Sequence, residues 1–175
     1  MNRALAPVSI SSGRIAAKGN LNILHGYPKH KSKVLIETAA TLSFTAHDIT
    51  SNEIAPVSRS IVPTSTIIKP NCTIELVTIE VPFPTPTVVS ATLRSPTGEV
   101  LAWCVGWPDP LKFVTFAGDP QVFVRIKDGR DEVVVKCAKP VKGLVLQVPL
   151  EGDDASWGDN CIDVVPGEEV HVPVR

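Results

Sequence analysis

Apolar residues recur at every second position along most of this chain, and that period suits β-strands and little else. Val34 and Ile36 share one face, and Leu42, Phe44 and Ala46 share the inner face of another strand. Ile74 and Leu76 alternate with Val77, Ile79 and Val81, so that run presents apolar groups to both sides. Val89, Ala91 and Leu93 follow. Val100-Leu101-Ala102-Trp103 comes after a turn expected at Ser95-Pro96-Thr97-Gly98. No window of about 11 residues carries a clean helical stripe. The 11 glycines and 16 prolines fall mostly between the apolar runs, as many short strands joined by turns require.

Two polar segments are expected as loops. Lys18 to Lys33 holds four lysines and two histidines with little alternation, and His47 to Ser60 is polar around Pro56, a connection or a weak edge. Trp107-Pro108-Asp109-Pro110 marks a boundary. Both prolines lack an amide donor and restrict the residue before them, which disfavours a ladder strand. The alternation then restarts: Val122, Val124 and Ile126 against Phe123, Arg125 and Lys127, with a turn candidate at Asp128-Gly129 that Arg130 and Asp131 lengthen. Val133, Val135 and Cys137 alternate with Glu132, Val134 and Lys136. Gly143 precedes Leu144, Leu146 and Val148, and Val170, Val172 and Val174 oppose Glu169, His171 and Pro173.

The expectation is an all-β protein of two consecutive immunoglobulin-like β-sandwich domains, the second small: residues 1–106, a Pro-rich hinge over 107–112, and residues 113–175. A ~60-residue β-domain buries only ~60% of its unfolded surface and is marginal alone. It is therefore expected to pack on the first, with Trp103, Trp107 or Phe113 near the seam.

Charge excludes some partners. Seventeen basic and eighteen acidic residues nearly cancel, and neither forms a block, so nucleic acid and anionic membranes are not expected partners. No apolar run approaches the ~18 residues that span a bilayer. Cys72, Cys104, Cys137 and Cys161 contain no CxxC pair, which argues against a zinc knuckle. Cys137 reads as a small buried hydrophobe. Asn71-Cys72-Thr73 satisfies the glycosylation acceptor pattern, which matters only on the secretory route. With no charged n-region and apolar h-region before the first alternation, the chain as given is expected to be cytoplasmic.

The search for chemistry yields no self-contained active site. Glycosidases need paired carboxylates flanking the scissile bond, about 5 Å apart in retaining enzymes. Glu75 and Glu80 lie five apart in a strand run and favour opposite faces, while Asp128, Asp131 and Glu132 belong to an exposed turn. Glu151-Gly152-Asp153-Asp154, followed by Asp159 and Asp163, offers oxygen ligands but lacks the calcium-loop spacing. Trp157-Gly158-Asp159-Asn160 suits a structural cap, with Asp159 or Asn160 bonding local amides. His25, His30, His47 and His171 are scattered, without a recognisable third ligand. Ser9, Ser11 and Ser12 lack a nucleophile elbow, and Gly13, Gly19 and Gly26 fail the phosphate-cradling patterns. No catalytic, cofactor-binding or metal-ligating residue is expected.

Several stretches resemble the C-terminal accessory domains of β-mannosidase-like enzymes, in the glycoside hydrolase family that also includes β-galactosidases and exo-glucosaminidases. Arg3-Ala4-Leu5-Ala6-Pro7 resembles the segment leaving a catalytic barrel. Leu101-Ala102 through Trp107-Pro108-Asp109-Pro110-Leu111-Lys112-Phe113 resembles the passage between two immunoglobulin-like domains. Lys139-Pro140-Val141-Lys142-Gly143-Leu144-Val145-Leu146, with Trp157-Gly158-Asp159-Asn160, Asp163 and Val165-Pro166-Gly167-Glu168, resembles the final β-sandwich. The resemblance implies a multidomain, retaining exo-enzyme that releases terminal β-mannose or a related sugar, using two glutamates on a barrel.

No glutamate here corresponds to either, so this chain is expected to be a non-catalytic accessory portion that stabilises an absent N-terminal barrel. A strand pattern beginning so close to Met1 carries the same expectation. The alternatives are a carbohydrate-binding β-sandwich that takes an oligosaccharide, and a protein-interaction module. Only three Trp, one Tyr and five Phe are available to a sugar-binding face.

Overall fold

The computed structural model describes residues 12–15, 20–23, 34–36, 40–62, 66–68, 77–79, 86–108, 111–116, 118–127, 132–147 and 156–174. Among them every sheet is antiparallel and no α-helix occurs, so the protein is all-β, in keeping with immunoglobulin-like sandwich architecture. The chain gathers into two compact units, Ala4–Thr115 and Phe116–Arg175.

In the larger unit, β1 (Ser12–Ile15), β2 (Asn20–Ile23) and β7 (Val77–Ile79) form one sheet, and β3 (Val34–Ile36) pairs with β6 (Thr66–Ile68). A four-stranded sheet contains β4 (Ala40–Asp48), β5 (Ile54–Val62), β8 (Thr87–Arg94) and β9 (Val100–Gly106), in the order β5-β4-β8-β9. Its register shows why the alternation was informative. Leu42 stands opposite Leu93, Phe44 opposite Ala91 and Ala46 opposite Val89, and all six are buried. Burying a side chain as large as Phe44 contributes roughly 1.5–3 kcal/mol. β8 is buried on both faces from Thr87 to Leu93, as befits an interior strand. The Ser95–Gly98 turn closes with Gly98 N–H donating to Ser95 O at 2.9 Å, and Gly98 takes a φ of 87°.

One loop expectation needs correction, and the other resolves to its edge alternative. Asn20–Ile23, within the segment expected to be irregular, is β2 and pairs with both β1 and β7. Within His47 to Ser60 the edge alternative holds: among the described residues Ile54–Val62 is a nine-residue edge strand, while His47 itself belongs to β4. An edge strand needs partners on one side only, so Pro56 is tolerated beside an irregularity where Phe44 faces Ser58 and Thr45 faces Pro56. The hairpin bend is local: Asp48 Oδ1 accepts from Thr50 N–H at 2.7 Å and Ser51 N–H at 3.1 Å, and Asn52 adopts φ 60°.

In the smaller unit, β10 (Phe123–Ile126), β11 (Glu132–Lys136) and β14 (Val170–Pro173) form a sheet in the order β10-β11-β14. β12 (Val141–Leu144) pairs with β13 (Ile162–Val164), a strand that carries Asp163 at its centre. Val133 and Val135 face Val172 and Val170 on one side of the sheet, and all four are buried. Val134 is buried too, on the opposite face of this central strand, where alternation predicted a half-exposed position.

Candidate functional site

Among the described residues the densest set of interacting ionisable groups lies on the face of the small sheet that carries Val134. Alternation along β11 and β14 sends Glu132 and His171 to that side, and Lys127 and Glu169 extend the rows at the strand ends. Glu132 receives Lys127 Nζ at 2.7 Å on one oxygen, and the other oxygen lies 3.2 Å from His171 Nδ1. His171 Nε2 is 3.8 Å from Glu169, which also pairs with Lys136. Lys127, first, and then His171 hold the Glu132 carboxyl below the usual carboxylate range; Lys136 does the same for Glu169. Both carboxylates are thus ionised at neutral pH. A general acid needs the opposite, a carboxyl whose proton is retained by apolar surroundings. This arrangement is a surface ladder of alternating sign.

The other acidic candidates that can be placed serve the backbone. Asp163 Oδ1 accepts from Gly143 N–H at 2.9 Å and its other oxygen lies 3.5 Å from Lys142 Nζ. Gly143, with φ 67°, sits where the β12–β13 register shifts, and that bend turns its amide toward Asp163. Asp159 accepts from Asn160 N–H at 3.0 Å. Asn160 Oδ1 accepts from Leu146 N–H at 2.8 Å, while its Nδ2 donates to Leu146 O at 3.1 Å. Trp157 forms a bridge to Val174, and Gly158 N–H donates to Pro173 O at 2.7 Å. The Trp157–Asn160 segment therefore ties loop to strand, as a structural cap would.

Among the described residues His47 is the one strongly perturbed base. It is 1% exposed, its Nε2 lies 3.4 Å from Ser90 Oγ, and its Nδ1 has no hydrogen-bond partner. Burial lowers its pKa to about 4. Burial also pushes the Cys137 thiol up to about 11. Among the described residues no three His, Cys, Asp or Glu side chains converge to hold a metal ion, and no helix is long and apolar enough to cross a membrane. Glu75, Glu80, Asp128, Asp131, Glu151, Asp153, Asp154, His25, His30, Ser9, Ser11, Asn71 and Cys72 lie outside the described residues.

Comparison with known proteins supplies what these side chains do not. Residues 32–112 match the Mannosidase Ig/CBM-like domain. That Mannosidase Ig/CBM-like segment runs from β3 through β9, the part of the chain that holds the four-stranded sheet. Beta-mannosidase B of Thermothelomyces thermophilus is 36% identical over 87 residues, which is 50% of this chain and 10% of the relative. Beta-mannosidase B of Aspergillus terreus is 27% identical over 184 aligned positions, 98% of this chain and 21% of the relative. In three dimensions the chain is similar to the β-D-mannosidase of Dictyoglomus thermophilum, with a TM-score of 0.67 at 11% identity, covering 99% of this chain and 20% of that one. The homology is to the immunoglobulin-like domain of β-mannosidase-like glycosidases, and the chain spans between a tenth and about a fifth of these relatives' length.

Proposed function

We propose that this chain is a non-catalytic accessory portion of a β-mannosidase-like retaining exo-glycoside hydrolase, in which it stabilises a catalytic barrel carried elsewhere in the same protein. The intact enzyme would release terminal β-D-mannose or a related sugar. The observation that carries this reading is the Aspergillus terreus alignment, which takes in 98% of this chain and only 21% of the relative. The side chains agree with it. Glu132 and Glu169 are neutralised by lysines and by His171, and Asp163 is held by a backbone amide and Lys142. The domain division proposed is 1–106 and 113–175 around a hinge at 107–112. The 3-10 turn at Leu111–Phe113, with no buried residue, supports a connecting role there.

A chromogenic β-mannoside offered to the purified chain should give no turnover. Grafted in place of the matching segment of the Aspergillus terreus enzyme, the chain should keep the hybrid active and raise its melting temperature above that of the segment-deleted form. Turnover by the chain alone, abolished by a substitution within it, would refute the reading.

A second reading, a carbohydrate-binding face, is favoured by one feature: Phe123 is 63% exposed and directly opposite Lys136 on the charged side of the small sheet. Saturable binding of manno-oligosaccharides that is lost in Phe123→Ala would support it.

A further inference from the structure

The apolar face of the small sheet does not end where its cover ends. Val172, Val133 and Ile126 lie in one row across the three strands, and Val170, Val135 and Val124 lie in the next. The four valines of β11 and β14 are buried, yet Val124 is 55% exposed and Ile126 63%. Among the described residues β10 is paired only with β11.

Its backbone polarity can be read from the hairpin closure. Lys127 N–H donates to Glu132 O at 2.9 Å, so Lys127 and Glu132 are a hydrogen-bonded pair. Because these pairs alternate along an antiparallel ladder, Phe123 and Arg125 also address β11. Val124 and Ile126 therefore direct their amides and carbonyls to the open edge. A short edge strand with apolar side chains and outward backbone groups is a template for another strand.

We infer that the occupant is a second copy of this chain, paired antiparallel through β10 about a two-fold axis at Val124. In an edge pairing of this symmetry each residue meets a partner on the same face. With the axis at Val124, Val124 meets Val124, Val122 meets Ile126, and Phe123 meets Arg125 twice. The last contact sits at a non-hydrogen-bonded position, where side chains approach most closely and a guanidinium can lie over a ring. Neighbouring registers are poorer. An axis at Arg125 sets two arginines directly opposite each other, which is destabilising. An axis at Phe123 brings Arg125 against Gln121, whose φ of 49° is outside the extended region. Charge and backbone geometry thus select one alignment. It yields a continuous six-stranded sheet, β14-β11-β10 joined to its symmetry mate, and extends the apolar rows across the axis. This pairing stands apart from the glycosidase reading.

Sedimentation velocity of the full chain should show the mass rising with concentration from 18.8 kDa to about twice that value. Val124→Lys, with an unchanged circular dichroism spectrum, should weaken self-association at least about tenfold. In a Cys161→Ser background, Val124→Cys should form an intermolecular disulfide under mild oxidation and Arg125→Cys should not. Directly opposed residues of a hydrogen-bonded pair lie about 5.5 Å apart at Cα, within disulfide reach. If Val124→Lys fails to fold, the cysteine pair decides. A chain that stays monomeric, including one that instead binds a separately produced β-mannosidase catalytic region, overturns the proposal. So does a dimer indifferent to Val124→Lys, or preferential cross-linking through Arg125→Cys.

Discussion

His47 on β4 reaches Ser90 on β8 with one ring nitrogen and leaves the other without a partner inside the four-stranded sheet. A neutral imidazole tolerates that site, and an imidazolium does not. Above pH ~6.5 the ring is neutral in both folded and unfolded chains. Between that pH and about 4 the unfolded chain binds a proton that the folded one refuses, so stability falls as the pH is lowered. The loss reaches about 3 kcal/mol and levels off below the folded pKa. Urea midpoints measured from pH 7.5 to pH 4 should fall more steeply for the parent than for His47→Gln. Parallel curves would show that His47 is not the titrating group.

Asn160 satisfies both backbone polar groups of Leu146 at once. Asn160→Ala strands a donor and an acceptor and should cost about 2 kcal/mol in chemical denaturation. Asn160→Asp keeps the acceptor and should lose less.

Gly158 is packed against Pro173. A Cβ there would lie 3.1 Å from the proline Cβ and 3.2 Å from its carbonyl oxygen. Backbone cannot swing aside as a long side chain can, so Gly158→Ala should destabilise by about 1–3 kcal/mol. Thermal unfolding that moves by less than a degree would contradict this.

Cys137 and Cys161 should part company in labelling. Cys137 is buried with its thiol pushed up to about 11, and Cys161 is exposed. Maleimide mapped by mass spectrometry at pH 7.5 should modify Cys161 at least about 100-fold faster, since the thiolate is the nucleophile. Comparable rates would mean that the smaller unit opens readily.

How legible these features were in the sequence depended on how much each strand is shared. β4 and β14 announced themselves because their apolar positions are buried while alternate positions carry polar or charged groups, and β8, β9 and β11 did so as short apolar runs. β5 did not, since an edge strand can hold Pro56 and a run of Ser58, Arg59 and Ser60 without losing its single ladder. β13 was hidden by Asp163, whose charge is absorbed by Gly143 N–H and Lys142 at a register shift that has no sequence period. The ladder of Lys127, Glu132, His171, Glu169 and Lys136 was invisible for another reason. Its members are as many as 44 residues apart, and only the pairing of three strands brings them together. The Asn160 cap was partly readable, as a polar side chain next to glycine, but its attachment to Leu146 is a tertiary fact.

Because β8 is enclosed on both sides, it carries no wet stripe to tell its own neighbours which way round it lies. The alignment instruction is therefore written in β4, where Leu42, Phe44 and Ala46 must point inward and Thr41, Ser43 and Thr45 take the other side. Substitutions that blur that contrast in β4 would loosen the choice of partner positions in β8 even when they remove little contact, so misaligned sheets, and not merely weaker ones, are the failure to expect.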